Sequence, residues 1–249
     1  MAISANWYLL ETILLKSAYF TIEIDKYIII LKMNIEEMII MKIAVIAANG
    51  QAGRLIVKEA VERGNEVTAV VREENKTIAQ NVIKKDLFDL TKEDLSGFDA
   101  VVTAFAAWTP ETREQHITSL QHLSDLLSGT DTRLLAVGGA GSLYTDESLT
   151  TQICETPDFP EEYLPTATAM KQGLAELRKR NDVKWTYISP AGEFDFNAPK
   201  TGEYILAGEV FTVNEKGESF ISYADYAVAM VDEIEKGNHI GQRISVLGK

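Results

Sequence analysis

The sequence is poor in cysteine and in positive charge. Cys154 is the only cysteine among the 249 residues, so the chain can form no internal disulfide and holds no C-x-x-C pair for zinc or redox chemistry. Lysine and arginine total 24 against 37 aspartates and glutamates, which gives a net charge of −13. Such an acidic protein repels nucleic acid and anionic lipid. We therefore expect no nucleic acid and no membrane as partners, and the single thiol fits a reducing, cytoplasmic compartment.

Long apolar runs are also missing, even from the unusual first forty residues. Residues 1–40 are rich in Ile, Tyr and Leu, but charges such as Glu11, Lys16 and Glu23 interrupt them before the ~20 apolar residues that a membrane span needs. The segment has no basic start followed by a small-residue cleavage site, so we predict no secretory signal. We predict an N-terminal extension over 1–40. It is either translated sequence upstream of a natural start at Met41 or a genuine segment that packs or pairs with another subunit.

From Lys42 onward, apolar runs alternate with helical patterns. The predicted strands cover 42–48, 66–72, 81–87, 98–107, 132–141, 183–189 and 243–248, with one or two short strands around a turn within 202–222. The predicted helices cover 53–63, 112–129, 167–180 and 223–237. This alternation predicts an α/β fold over a single domain, 41–249: a Rossmann-like doubly wound parallel sheet in three αβα layers, with a small C-terminal segment on the substrate side. Ligands of such sheets bind at the carboxyl ends of the strands.

The loop after the first predicted strand has the pattern of a dinucleotide-binding turn. A G-x-x-G-x-x-G turn would place glycines at 47, 50 and 53; Gly50 and Gly53 are present, and Ala47 replaces the first. Glycines in this turn let the backbone approach a pyrophosphate and let the helix pack closely on the strand, while the helix N-terminus attracts the phosphates. Ala47 fits the turn at little cost if its φ is negative. Arg54 lies in the first helical turn, where a bound anion would offset its unfavourable interaction with the helix dipole.

The end of the second strand favours one nicotinamide cofactor over the other. Arg72 stands about 20 residues beyond the loop, where a carboxylate binds the ribose diol of NAD and an arginine favours the 2′-phosphate of NADP. We therefore expect NADP(H) to be preferred over NAD(H), with help from Arg54. Asp86 either contacts the adenine or caps a turn. The predicted cofactor-binding residues are Ala47, Asn49, Gly50, Gln51, Ala52, Gly53, Arg54, Arg72, Asp86, Leu87, Ala104, Phe105, Ala106, Gly138, Gly139, Ala140, Ser189, Pro190 and Ala191.

Several segments occur in the order typical of one known family. They include "MKIAVIAANGQAG", "FDAVVTAFAA", "LLAVGGAGSL", "TPDFPEEY", "WTYISPAG" and "SYADYAVAMVDEIE". With these segments the chain resembles the NADH-flavin reductase family, atypical short-chain dehydrogenases/reductases that are similar to biliverdin reductase B/flavin reductase. The resemblance covers residues 41–249, and it implies a Rossmann fold, NAD(P) binding and reduction of a flavin. Because the sequence has a single dinucleotide loop and no second nucleotide motif, we expect the flavin to be a substrate rather than a tightly bound group. Ala47 departs from the glycine usual in the family, which concerns cofactor affinity rather than the fold.

The usual acid of short-chain dehydrogenases is missing. None of the nine tyrosines has a lysine four residues further on, and Tyr163, in the expected region, is followed at that distance by Ala167. Alcohol–ketone chemistry therefore lacks its proton donor, whereas hydride transfer to a flavin can take its proton from solvent. The candidates for positioning an acceptor are Trp108, Ser142 and Tyr144. Trp108 or Tyr144 can stack on a planar ring, although Trp108 is equally well a lid or interface residue, and Ser142 either hydrogen-bonds a carboxamide or ends a turn.

Other chemistries find no support in the sequence. His116, His122 and His239 have no carboxylate or cysteine at a ligand spacing, so we predict no metal site. Neither a G-K-[ST] phosphate loop nor a G-x-S-x-G elbow occurs, which disfavours an NTPase or an esterase. Two classes remain. One is an NAD(P)H-dependent oxidoreductase, monomeric or homodimeric, that reduces free FMN or FAD or a similar planar acceptor such as a quinone; the other is a non-catalytic NADP(H)-binding sensor.

Overall fold

Strands and helices alternate along the chain in the predicted order. The computed structural model describes residues 40–249, so the predicted extension lies outside it except for Ile40 and stays a prediction. The strands are β1 (Lys42–Ile46), β2 (Glu66–Val71), β3 (Asn81–Lys84), β4 (Ala100–Thr103), β5 (Arg133–Val137), β6 (Lys184–Ser189), β7 (Glu193–Asp195), β8 (Ile205–Ala207), β9 (Phe220–Ser222) and β10 (Gln242–Leu247). The helices are α1 (Gln51–Glu62), α2 (Gln115–Leu127), α3 (Leu164–Leu177) and α4 (Tyr223–Lys236), with 3₁₀ turns at Leu87–Asp89, Ala140–Ser142 and Ile153–Glu155.

Eight of these strands form one sheet in the order β3-β2-β1-β4-β5-β6-β10-β8. Neighbouring strands run parallel except for β8, which pairs antiparallel with β10. The chain winds from β1 outward to β3 and then crosses back to place β4 on the other side of β1. The predicted doubly wound, Rossmann-like sheet is confirmed, and the β1/β4 boundary is its topological switch point, where ligands of such folds bind.

The two faces of the sheet bury separate hydrophobic clusters. Along β1, Ile43 and Val45 point to the face covered by α1 and α4, while Ala44 and Ile46 point to the face covered by α2 and α3. Every apolar residue of this strand is therefore buried, which explains why its sequence is continuously hydrophobic rather than alternating. The arrangement is the predicted three-layer αβα stack.

The helix ends follow local rules, and the first three helices differ from their predicted bounds by one to three residues at each end. Helix α3 begins at Leu164 rather than at the predicted residue 167, because Pro165 is tolerated in the first turn, where its missing N–H has no intrahelical partner anyway. Helix α4 begins as predicted: the Ser222 hydroxyl accepts a hydrogen bond from the Asp225 backbone N–H at 2.9 Å. Gly237 ends α4 in the left-handed conformation, with φ of 64°.

The segment before α4 contains the predicted turn with a short strand on either side, β8 and β9. The predicted turn is present, since the Gly217 N–H donates to the Asn214 carbonyl at 2.9 Å. The strands on either side do not pair with each other: β8 joins the edge of the main sheet, and β9 pairs in parallel with β7. Residues 41–249 form one compact unit. Within the described residues, the helices lack the combined length and apolarity that crossing a bilayer requires.

Candidate functional site

A cleft of roughly 1150 Å³ opens at the carboxyl edge of the sheet, across the β1/β4 switch point. We divide the residues that line the cleft into two halves. The β1–β3 half contains those that precede β4 in the chain, and the β4–β6 half contains those that follow β4. The first half consists mainly of Ala47, Asn49–Ala52, Arg72, Glu73, Lys76 and Lys85–Phe88. The second consists mainly of Ala104–Ala106, Trp108, Thr112, Gln115, His116, Gly138–Ser142, Phe159, Pro160, Tyr163, Thr166, Ala167, Met170, Pro190–Phe194 and Tyr223.

The loop between β1 and α1 has the close packing that its glycines predict. A Cβ atom added to Gly53 would lie 2.5 Å from the Ala47 carbonyl oxygen and 2.9 Å from the Ala48 Cα, so only glycine lets α1 approach the strand this closely. Gly50 is the N-cap of α1 and provides no side chain to accept from the first-turn N–H groups. Gln51 and Ala52 line the cleft, which leaves the positive end of α1 available to an anion.

Ala47 adopts a backbone conformation that favours glycine and is strained for alanine. Its φ is 57°, in the left-handed region, and not negative. The turn requires this conformation because the Ala47 carbonyl accepts a hydrogen bond from the Gly50 N–H at 2.9 Å. An alanine here carries local strain of about 1–2 kcal/mol, since its Cβ crowds the following carbonyl oxygen.

Replacing Ala47 with glycine should therefore raise the free energy of unfolding by about 0.5–1 kcal/mol, the relief of strain less the extra backbone entropy of glycine in the unfolded chain. Denaturant unfolding would measure the change. Ala48→Gly is the matched control, because Ala48 is buried and is not among the residues with positive φ, so the same change there should destabilise. A lower stability for the Ala47→Gly variant would contradict the strain at this turn.

Asn49 connects the two loops of the β1–β3 half. Its amide nitrogen donates to the Glu74 carbonyl, and its amide oxygen accepts from the Lys76 backbone N–H, both at 2.8 Å. Asn49 lines the cleft, as predicted, but its side chain holds the loop after β2 against the loop after β1. This connection places the side chains of Arg72 and Lys76 along one wall. Lys76 is absent from the sequence-based set, because nothing local distinguishes it from any solvated lysine.

The three cationic side chains of this half differ in whether they form an ion pair. Among residues 40–249, Arg72 and Lys76 take part in no ion pair, whereas Lys85 pairs with Asp94 at 2.6 Å. Asp86 caps the 3₁₀ turn that follows it, accepting from the Phe88 N–H at 3.0 Å, and it also lines the cleft. Asp86 therefore caps a turn, which is one of its two predicted roles. It also lies in the cleft lining, where it can contact a ligand.

Four predicted site residues do not line the cleft. Gly53 lies behind the loop and acts through packing, and Ser189 is fully buried in β6. The Arg54 guanidinium lies 5.6 Å above the Phe196 ring, so this cation is directed away from the place where we expected it to help bind a 2′-phosphate. The Tyr144 ring faces the Arg243 guanidinium at 6.0 Å, which removes Tyr144 from the candidates for stacking on an acceptor.

The glycines after β5 are packed closely against side chains of the protein itself. In the structure a Cβ on Gly138 would lie 2.2 Å from the Tyr187 ring, and a Cβ on Gly139 would lie 3.0 Å from the Met170 sulfur. Both positions are thus restricted by the protein's own side chains beneath them. Their backbone, with Ala140 and Ser142, still lines the cleft.

Aromatic side chains surround the β4–β6 half. Trp108 is 67% exposed and Tyr163 is 53% exposed, and both line the cleft, as does Phe159. Phe194 and Tyr223 also line the cleft, and their rings stack with centroids 3.6 Å apart. Phe159, Tyr163, Phe194 and Tyr223 are missing from the sequence-based set, since only the tertiary fold brings 159–170 and 194–223 to the strand ends.

Two polar side chains of this half, those of His116 and Ser142, are buried. His116 is buried, its Nε2 lies 2.9 Å from the Ala107 carbonyl oxygen, and burial lowers the pKa of its imidazole, which favours the neutral form. Ser142 is only 3% exposed, and its hydroxyl has no hydrogen-bond partner within residues 40–249. A ligand in the cleft can supply that missing partner.

Among residues 40–249, no lysine from elsewhere takes the place of the one missing four residues after Tyr163, because the lysines that line the cleft, Lys76 and Lys85, belong to the β1–β3 half. Lys171, one turn beyond Ala167, is paired with Glu155 at 2.5 Å and does not line the cleft. Tyr163 therefore lines the cleft without a lysine beside it. Within the described residues, no three His, Cys, Asp or Glu side chains are grouped so as to hold a metal ion.

The glycine turn, the switch point and the two-part cleft define a Rossmann-type dinucleotide-binding protein. The model of the NAD(P)H-binding family matches residues 47–236. The chain belongs to this family. It is 46% identical over 212 residues to the uncharacterized protein YwnB of Bacillus subtilis (strain 168), covering 84% of this chain and 99% of YwnB.

Solved structures confirm the predicted resemblance. SP1627 of Streptococcus pneumoniae TIGR4, described as a "putative NADH-flavin reductase", is 61% identical with a TM-score of 0.83, and the match covers 84% of this chain and all of SP1627. A Lactobacillus casei protein is 32% identical with a TM-score of 0.75, covering 84% of this chain and 99% of that protein.

Proposed function

We propose that the protein is an NADP(H)-preferring oxidoreductase that reduces a free flavin, or a similar planar acceptor such as a quinone, by direct hydride transfer. One observation carries the proposal. A single cleft joins a dinucleotide-binding half to an aromatic half that has no acid–lysine pair. The name of the relative SP1627 supports the same class of reaction.

The β1–β3 half fits a dinucleotide. The open N-terminus of α1 suits a pyrophosphate, and Arg72 and Lys76 suit the additional phosphate that distinguishes NADP from NAD. Asn49 holds the backbone of the loop that carries these two residues against the loop after β1. Leu87 and Phe88 offer apolar surface for an adenine, with Asp86 beside them.

The β4–β6 half fits a reaction that transfers a hydride without a protein acid. A bound NADPH supplies a hydride, which carries two electrons and one proton, and water supplies the second proton to the acceptor. The protein contributes orientation and exclusion of water. Trp108 offers a ring on which a planar acceptor can stack, and the Ser142 hydroxyl offers one hydrogen bond.

Replacing Trp108 with alanine should raise the acceptor KM by roughly threefold to tenfold, the value of one aromatic stacking interaction. The kcat should change little, because stacking holds the ground state and the transition state alike. Steady-state kinetics at saturating NADPH would measure both constants. Trp108→Phe is the matched control, since it keeps a ring and should restore most of the affinity. A Trp108→Ala variant with an unchanged KM would contradict the stacking role.

Replacing Tyr163 with phenylalanine should leave kcat within a few fold of the wild-type value. Loss of a true general acid typically costs about 10²–10⁴ in rate, and Tyr163 has no lysine beside it to act as one. The kcat of Tyr163→Phe, measured with the same acceptor, would show whether the hydroxyl takes part in the reaction. A collapse of activity in Tyr163→Phe would identify Tyr163 as the proton donor and favour a carbonyl reductase instead.

Product stoichiometry under anaerobic conditions tests the reaction itself. We expect the oxidised flavin absorbance to disappear mole for mole with NADPH, with a primary isotope effect when the transferred hydrogen of NADPH is deuterium. We also expect the purified protein to carry no bound flavin of its own. NADPH loss with the flavin left oxidised would count against hydride transfer to that acceptor.

A further inference from the structure

Positive charge is confined to one half of the cleft. All the lysine and arginine side chains that line it within residues 40–249, namely Arg72, Lys76 and Lys85, belong to the β1–β3 half. The β4–β6 half is lined by apolar, aromatic and small polar residues, and the one carboxylate there is that of Glu193. Whatever binds in this half finds no cationic side chain on its walls.

The two segments that carry the aromatic residues of this half are acidic. Segment 108–115, which includes Trp108, holds Glu111 and Glu114, and segment 158–163, which includes Tyr163, holds Asp158, Glu161 and Glu162. All five carboxylates are exposed, and none takes part in an ion pair among the described residues. Arg113 is the only cation within these two segments.

The helix N-termini beside this half are also poorly suited to an anion. Glu114 is the N-cap of α2, Glu161 and Glu162 precede Tyr163, which is the N-cap of α3, and Asp225 stands in the first turn of α4. A carboxylate near a helix N-terminus offsets the positive end of the dipole. Pro165 also removes one of the free N–H groups of α3.

We infer that the acceptor bound in the β4–β6 half is a planar ring without a phosphate or other anionic tail, such as riboflavin or an uncharged quinone rather than FMN. The inference rests on the proposed function. Phosphate recognition uses Arg, Lys or open helix N-termini. No lysine or arginine lines this half, and the first three N–H groups of α2 already donate to the backbone carbonyls of Thr112, Arg113 and Glu114. What it does offer is aromatic surface and the buried, unpartnered hydroxyl of Ser142, which suit an uncharged ring with carbonyl oxygens.

The ratio of kcat/KM for riboflavin and FMN, measured with saturating NADPH at low ionic strength, tests the inference. We expect riboflavin to be favoured about tenfold, because the dianionic phosphate approaches several unpaired carboxylates. The preference should shrink as salt is added, since exposed charges are screened. An uncharged naphthoquinone and its sulfonate form a second pair, with the uncharged compound again preferred.

Glu161→Gln/Glu162→Gln should narrow the riboflavin preference about threefold by removing two of the repelling charges. Asp125→Asn/Asp131→Asn is the matched control, because it makes the same change of net charge on two exposed carboxylates outside the cleft lining, and it should leave the ratio unchanged. FMN reduced as efficiently as riboflavin at low salt, or a ratio insensitive to salt, would overturn the inference while leaving the proposed function intact. NADPH binding without reduction of any of the four acceptors would overturn both.

Discussion

Replacing Gly53 with alanine is expected to lower the free energy of unfolding by about 2–3 kcal/mol and to weaken NADPH binding by roughly tenfold or more. The added Cβ would lie 2.5 Å from the Ala47 carbonyl oxygen and 2.9 Å from the Ala48 Cα, both of them backbone atoms that cannot rotate away. Either α1 or the loop must move, and the loop is what we expect to hold the pyrophosphate. Denaturant unfolding and NADPH titration would measure the two effects.

Gly208→Ala is the control for this experiment. A Cβ on Gly208 meets nothing within 4 Å, and its φ is not positive, so the variant should be neutral or slightly more stable. If Gly53→Ala retained both the stability and the affinity of the wild type, the close approach of α1 to β1 would not be needed for cofactor binding.

Replacing Arg72 with alanine is expected to weaken NADPH binding by about 1.5–3 kcal/mol, the scale of a charge-assisted hydrogen bond to phosphate. NADH binding should change far less, because NADH lacks the 2′-phosphate. Arg72 lines the β1–β3 half and takes part in no ion pair among the described residues, so its guanidinium is available to a ligand. Fluorescence titration of the variant with each nucleotide would give the two Kd values.

Arg54→Ala is the matched control, since the Arg54 guanidinium lies over Phe196 and outside the cleft lining. We expect it to leave the ratio of NADPH to NADH affinity unchanged. A Lys76→Ala variant should share part of the Arg72 effect, because Lys76 lies on the same wall. Equal losses for NADPH and NADH in Arg72→Ala would contradict the assignment of Arg72 to the 2′-phosphate.

The parts of the site that follow from local rules were predictable from the sequence. A buried apolar strand, two glycines three residues apart and an amphipathic helix together indicate the β1–α1 turn, and Arg72 follows from its place at the end of β2. The capping of α4 by Ser222 is equally local. Most element boundaries were predicted only to within a few residues, because fraying and Pro165 decide where a helix begins.

The parts that depend on packing between distant segments were not predictable. Gly138 is required by the ring of Tyr187, almost fifty residues away in the chain. The direction of Arg54 depends on Phe196. No periodicity or motif carries such information, since each contact exists only after the sheet has formed.

Turnover with a panel of acceptors distinguishes an NADPH-dependent oxidoreductase from a protein that only binds NADPH. Purified protein is mixed with NADPH and, in separate reactions, with riboflavin, FMN, an uncharged quinone and a small ketone, and NADPH consumption is followed over many equivalents of enzyme. We expect sustained consumption with at least one planar acceptor, none with the ketone, and lower activity of Gly53→Ala at sub-saturating NADPH. Tight NADPH binding without turnover on any member of the panel would contradict the proposed activity and identify a non-catalytic NADP(H) sensor.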